Sequence, residues 1–138
     1  MDTVKEFFAA EIHRIDRSIK QIQEAIDGTY SGDNPSANHT ASMRAMLDIK
    51  CRQRRTIETL EAQSHDLQSA LVFCRLHLMA AEEAHMKVAS RQGARDLRQA
   101  DAWWDTLNDI EFLAHLSSEL RQAIEQQKPR QDTHNGKR

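Results

Sequence analysis

The chain has 138 residues, a length that suits one domain with a core of moderate size. It carries 19 basic residues against 21 acidic ones, which gives a formal net charge of -2. This near balance excludes a global field that would draw the chain to nucleic acid or to an anionic membrane. Any electrostatic partner must therefore be recognised by a local patch.

Glycine and proline are confined to a few places along the chain. The four glycines and two prolines fall near positions 28 to 36, at 93 and in the last ten residues. Long stretches without either residue favour helices, and no segment alternates apolar and polar residues as a half-buried strand does. The sequence therefore predicts an all-α fold.

The first predicted helix covers about residues 3 to 27 and carries one apolar stripe with steps of four and three. The stripe consists of Phe8, Ile12, Ile15, Ile19, Ile22 and Ile26. Because charged side chains flank it, we expect one apolar seam and a solvated back. Gly28 is well placed to end the helix, and turn-forming residues predict a loop over 28 to 39.

The second predicted helix is long, because no glycine or proline occurs between about residue 40 and Gly93. We expect it to cover about residues 40 to 92. Its seam keeps the same spacing at Ile57, Leu60, Ser64, Leu67, Leu71, Cys74, Leu78, Ala81, His85 and Val88. The alternative is a break near Ser64, which would cap a new helix and produce a four-helix bundle.

A last helix is predicted over about residues 96 to 126, with two apolar stripes on nearly opposite sides. One stripe holds Leu97, Ala100, Trp104 and Leu107, and the other holds Leu113, Leu116, Leu120 and Ile124. The polar residues 127 to 138 predict a disordered tail. Residues 1 to 126 are then one helical domain, an elongated antiparallel helical hairpin extended to a three-helix, coiled-coil-like bundle.

The predicted central helix is too long for its two partners to cover completely. The first and last helices would pack on opposite ends of it and leave apolar surface between them. We therefore expect a second copy of the chain to cover that surface, which predicts a homodimer.

Trp103 and Trp104 are the residues that point most directly to a binding surface. Adjacent side chains on a helix diverge by about 100°, so one narrow seam does not accommodate both rings. We expect one ring in the core and the other, together with Phe112, to anchor a partner protein. The alternative places both rings in one broad internal core.

A basic segment over residues 44 to 55 offers a second candidate surface. Arg52, Arg54 and Arg55 follow Arg44 and Lys50, with a single acidic residue among them. Such a patch would bind an acidic protein surface or phosphate, so a nucleic-acid-binding regulator is the alternative function. The competing interpretation is a solvated face with ion pairs inside the helix.

Metal-ligand and catalytic patterns are weak. Glu82 and His85 share the spacing used in carboxylate-bridged metal bundles, and Cys74 lies one turn from His77. Neither set has the paired ligands that a site needs, so a metal-binding bundle is a further alternative and we expect no cofactor and no metal. No nucleophile motif or phosphate-binding loop is present in the sequence.

The function predicted from these observations is a non-enzymatic interaction module, such as an adaptor, assembly factor or inhibitor of a larger protein. The charged start and the absence of a long apolar run predict a cytoplasmic protein that does not enter a membrane. Cys51 and Cys74 are too far apart on a helix to bridge, so we expect free thiols.

Overall fold

A computed structural model describes residues 3–31, 37–90 and 97–127 of the chain. These residues form four helices: α1 (Thr3–Ser31), α2 (Ala37–Gln63), α3 (Leu67–Ser90) and α4 (Leu97–Gln127). No strand occurs in the described ranges, and the predicted all-α fold is confirmed. No helix within them is long and apolar enough to cross a membrane.

The helices pair as two antiparallel hairpins, α1 with α2 and α3 with α4. The contacts show the antiparallel direction, because residue numbers rise along one helix as they fall along its neighbour. Cys74 lies against Ser117 and His85 against Thr106, while Arg54 binds Asp16 and Leu47 lies near Ile26. The hairpins meet through α2, which contacts both α3 and α4, and through a smaller contact of α1 with α3. This arrangement is the four-helix bundle that the sequence offered as the alternative fold.

The prediction of one continuous helix over residues 40 to 92 is wrong, and the predicted three-helix arrangement is confirmed only in part. The first and last helices pair with the two ends of the central segment as predicted, but that segment is two helices rather than one. The chain leaves the helix after Gln63 and enters α3 at Leu67. At the end of α2, the Ser64 hydroxyl donates to the carbonyl of Leu60 at 2.6 Å, and the Ser64 amide donates to Glu61. These local bonds satisfy carbonyl groups that a continuing helix would use.

Asp66, rather than Ser64, caps the start of α3. Its carboxylate accepts a hydrogen bond from the Ser69 amide at 2.7 Å, and the Ser69 hydroxyl accepts one from the Asp66 amide at 3.1 Å. This reciprocal pattern is a capping box, with serine in the position that glutamate often takes. The amide of Ser69 holds the pKa of the Asp66 carboxyl below its usual range. The cap therefore defines a new helix start without glycine or proline.

The main core lies at the end of the bundle that contains the α2–α3 turn. All four helices contribute to it: Val4, Phe8, Ile15, Ile57, Leu60, Leu67, Ala70, Cys74, Leu113, Leu116 and Leu120. Every predicted seam position from Ile57 to Val88 is buried or half-buried, so the seam is correct although it crosses the turn. The heptad pattern therefore identifies the buried residues of both α2 and α3, although the chain reverses direction between them.

Two smaller predictions also have an outcome in the structure. The prediction that Gly28 ends the first helix is wrong, because α1 continues to Ser31. Glycine inside a helix costs only about 1 kcal/mol, which the rest of α1 offsets. Cys51 and buried Cys74 are both unpaired, as predicted, but the predicted reason is wrong, because they lie on separate helices rather than far apart on one. The predicted loop over 28 to 39 is too long, because residues 28–31 belong to α1 and residues 37–39 to α2. Residues 32–36 and the tail after 127 lie outside the described residues.

The capping box gives a direct test of the helix break. Asp66→Ala should lower the free energy of unfolding by about 1 kcal/mol, because the Ser69 amide loses its acceptor. Asp66→Asn should retain nearly the full stability, since asparagine caps equally well. Chemical denaturation followed by circular dichroism measures both. A stability gain for Asp66→Ala, as alanine produces inside a continuous helix, would contradict the break.

Candidate functional site

The two adjacent tryptophans lie on α4 with different degrees of exposure. Trp103 is half-buried, whereas 58% of Trp104 is exposed. Their ring centroids are 4.9 Å apart and the planes are perpendicular, which is the favoured edge-to-face arrangement. Trp103 therefore supports the exposed ring from one side.

Contacts between α3 and α4 fix the position of Trp103. The His85 ring lies 5.2 Å from the Trp103 ring, and its Nδ1 is 2.7 Å from the Thr106 hydroxyl. That hydroxyl also contacts the carbonyl groups of Ala102 and Trp103. Because His85 belongs to α3, these contacts connect the tryptophan pair to the neighbouring helix.

Trp104 lines a surface groove of about 540 Å³ between α2 and α4. The groove is lined by Ala45, Asp48, Ile49, Arg52, Trp104, Asp105 and Asn108. The Asn108 amide donates to the Trp104 carbonyl at 2.9 Å, so this polar side chain is held against its own helix. The groove combines an exposed indole, aliphatic side chains and carboxylates, which suits a protein ligand better than a small apolar molecule.

Arg52 joins α2 to α4 at the groove. Its Nε lies 3.1 Å from the Asp109 carboxylate, and its Nη2 donates to the Asp105 carbonyl at 3.2 Å. Asp105 adds a longer ion pair of 3.7 Å. Two carboxylates thus surround this guanidinium, and its charge is largely compensated within the bundle.

The other two arginines of the predicted basic patch differ in environment. Arg54 binds Asp16 of α1 at 2.7 Å and Glu58 of its own helix at 2.8 Å, which raises the pKa of its guanidinium. Arg55 is exposed. The structure therefore separates the three arginines, with Arg52 facing α4, Arg54 facing α1 and Arg55 facing solvent.

Phe112, the third predicted aromatic anchor, is half-buried and packs against the main core. It lies two helical turns from Trp104 along α4. The structure does not place it among the residues that line the groove. Of the described aromatic side chains, Trp104 alone is exposed.

The residues considered as metal ligands do not converge. The His85 ring is engaged by Thr106, His77 lies 3.1 Å from Gln63, and the buried Cys74 sulfur lies 3.2 Å from the Ser117 hydroxyl. Burial raises the pKa of the Cys74 thiol. In residues 3–31, 37–90 and 97–127, no group of three or more His, Cys, Asp or Glu side chains is arranged to hold a metal ion.

A cluster of charged residues between α1 and α4 was not expected from the sequence. Glu11 is buried with only 5% of its surface exposed, and Arg14 contacts both Glu11 and Glu119. His115 lies 3.2 Å from Glu119 Oε1, a buried oxygen that accepts no hydrogen bond within the described chain.

Burial and the neighbouring Glu119 make the Glu11 carboxyl costly to ionise. Burial, followed by the hydrogen bond to Glu119 and its negative charge, raises the pKa of the Glu11 carboxyl from its ordinary 4.5 to about 7. Arg14 acts in the opposite direction but does not cancel these effects. The Glu11 carboxyl therefore binds a proton near neutral pH in the folded bundle.

A different reading of the α1 pattern would have located Glu11. Val4, Phe8, Glu11 and Ile15 follow the heptad spacing and are all buried. The predicted stripe continued from Phe8 to Ile12 because it followed the isoleucines, and it therefore placed Glu11 on the solvated side. The sequence signal that could have located Glu11 is its spacing, three residues after Phe8 and four before Ile15, which is a core position of the heptad pattern.

Comparison with protein-family models, curated proteins and solved structures found no match to this chain.

The Glu11 pKa predicts that the bundle loses stability as the pH rises. When folding raises the pKa of a carboxyl, the protonated group stabilises the folded state. This stabilisation is complete at a pH below the pKa of the unfolded chain and is lost as the pH rises through the pKa of the folded chain. The free energy of unfolding should fall by roughly 2 kcal/mol between about pH 5 and pH 8 through this group. Thermal or chemical denaturation across this pH range measures the decline.

Glu11→Gln should remove most of this pH dependence, because glutamine resembles the protonated carboxyl and donates to Glu119 without titrating. Glu6→Gln, on the exposed side of α1, is the matched control and should retain the wild-type decline. An unchanged pH dependence in Glu11→Gln would show that the decline arises from other groups.

Proposed function

We propose that this protein is a non-enzymatic protein-binding module, an adaptor, assembly factor or inhibitor, that holds a partner protein in the groove between α2 and α4. The observation that carries the proposal is the exposure of Trp104, at 58%, on the wall of that groove. Water contacts an indole that the bundle itself does not bury. A partner that covers the ring gains the free energy of removing it from water.

The surroundings of Trp104 suit a binding anchor. Trp103 supports the ring edge-to-face, and Trp103 is itself fixed by His85, so the indole loses little conformational freedom when a partner binds. Residues with this combination of rigidity and apolar area dominate the energy of protein interfaces. Ala45 and Ile49 extend the apolar surface along α2.

The charges around the groove indicate the chemistry of the partner. Asp48 places a carboxylate on the α2 side of the groove, while Asp105 on the α4 side is paired with Arg52. We therefore propose a partner helix that presents an apolar side chain to Trp104 and a lysine or arginine to Asp48.

The ion pairs of the basic segment favour a protein partner over nucleic acid. Arg52 and Arg54 each contact two carboxylate side chains, which reduces the positive charge available to phosphate. The unpaired state of Cys51 and Cys74 is consistent with a reducing compartment, and we propose that the protein acts in the cytoplasm.

The proposal predicts a specific effect of truncating the exposed ring. A partner recovered by co-purification from the native host, and then purified, should bind Trp104→Ala about 30-fold more weakly, equivalent to roughly 2 kcal/mol. Isothermal titration calorimetry measures the affinity. Trp104→Phe should lose less, because a smaller ring still occupies the contact.

Two variants serve as controls for this measurement. Met46→Ala removes an exposed side chain of α2 that does not line the groove and should leave the affinity unchanged. Trp103→Ala should lower the melting temperature, because the half-buried ring packs between α3 and α4. Wild-type affinity for Trp104→Ala, with the fold intact by circular dichroism, would contradict the proposed role of the groove.

A further inference from the structure

Helix α3 carries an apolar stripe on its outer side. Four large side chains of the stripe are more than half exposed: Val72 at 55%, Leu76 at 52%, Met79 at 62% and Met86 at 71%. They follow steps of four and three, with Glu83 at the remaining position of the pattern. The stripe therefore has the geometry of a helix-pairing seam, although no helix of the described chain covers it.

The opposite side of α3 already packs in the bundle. Leu67, Ala70 and Cys74 are buried, and the helix pairs along its length with α4. The exposed stripe is thus a second apolar face, extending about 21 Å from Val72 to Met86 at 1.5 Å per residue. A continuous apolar stripe of this kind marks a surface that another molecule covers.

Charges of opposite sign flank the stripe on either side of Met79. Val72 and Met86 lie at equal distances on either side of it. Arg75 lies one turn before Met79, and the adjacent glutamates Glu82 and Glu83 lie one turn after it. Glu83 makes an exposed ion pair with Lys87 at 3.5 Å, whereas no carboxylate of the described residues pairs with Arg75.

We propose that a second copy of this chain docks on the stripe, with the two α3 helices antiparallel and a two-fold axis at Met79. In this arrangement Met79 meets Met79, and Val72 meets Met86 of the second copy. Arg75 lies opposite the two glutamates of the second copy, and the symmetry repeats this pairing on the other side. A closed two-fold interface requires such self-complementarity, because each contact occurs twice.

The same charges disfavour the parallel arrangement and favour a second copy over an unrelated helix. Parallel pairing would set Arg75 against Arg75 and the glutamates against each other, and like charges in register oppose association. A second copy of α3 already carries the charges that pair with Arg75 and with the two glutamates, whereas an unrelated helix would need the same charges at the same spacing. The surface is separate from the groove between α2 and α4, so this inference stands or fails independently of the proposed function.

Sedimentation velocity over about 1 to 200 µM tests the association. We expect a reversible dimer whose dissociation constant rises at least tenfold in Leu76→Gln and in Met79→Gln. Met46→Gln is the matched control, because it places the same change at an exposed methionine of α2 and should leave the dimer intact. Circular dichroism verifies that each variant is folded. A wild-type chain that sediments as a monomer at 200 µM would overturn the proposal.

A charge exchange tests whether the second copy is recognised as proposed. Arg75→Glu makes the stripe acidic, and the double variant Glu82→Arg, Glu83→Arg makes it basic, so each alone should be monomeric at concentrations where the wild type is dimeric. An equimolar mixture of the two should form a heterodimer, because every opposed pair is then complementary. Failure of the mixture to associate would contradict the antiparallel pairing.

Cysteine crosslinking in a Cys51→Ser background tests the position of the axis. Met79→Cys should form a disulfide with itself, because the two-fold axis brings the two copies of this residue together. Val72→Cys alone should remain uncrosslinked, but a mixture with Met86→Cys should crosslink. Self-crosslinking of Val72→Cys would show parallel helices and overturn the proposed geometry.

Discussion

The capped turn at Ser64–Asp66 is the constraint on which the rest of the structure depends. The hydroxyl of Ser64 bonds back to Leu60 and ends α2, while the capping box of Asp66 and Ser69 starts α3. This change of direction allows four helices to contribute to one core. It also brings the N-terminal half of α4 against α2, which creates the groove that Trp104 lines.

The bundle is not equally well packed from end to end. Most fully buried side chains lie near the turn, whereas the seam positions of α3 beyond Cys74 are only half-buried. Trp104 lies in the more open part, while the exposed stripe of α3 begins at Val72, beside the well-packed core, and continues to Met86. The well-packed end supplies stability, and both proposals rest on apolar surface that the bundle itself does not cover. Glu11 is the exception, a titratable group within the stable end.

The sequence was sufficient to predict helices and the seam from Ile57 to Val88, because apolar periodicity and the absence of glycine and proline determine these features. It did not decide the break at Ser64, since serine and aspartate are compatible with both a cap and a helix interior until their hydrogen bonds are known. Nor did it reveal that Arg52 and Arg54 face carboxylates of other helices. Such pairings depend on helix neighbours, which periodicity does not specify.

The distance between α2 and α3 tests the folded-back arrangement most directly. Nitroxide labels at Met46 and Glu83, both exposed, can be measured by pulsed electron paramagnetic resonance in a Cys51→Ser background diluted with unlabelled protein. If α2 and α3 pack side by side in one bundle, the two labels should lie less than about 30 Å apart. A continuous helix would separate the labels by about 55 Å at 1.5 Å per residue, and that result would contradict the account.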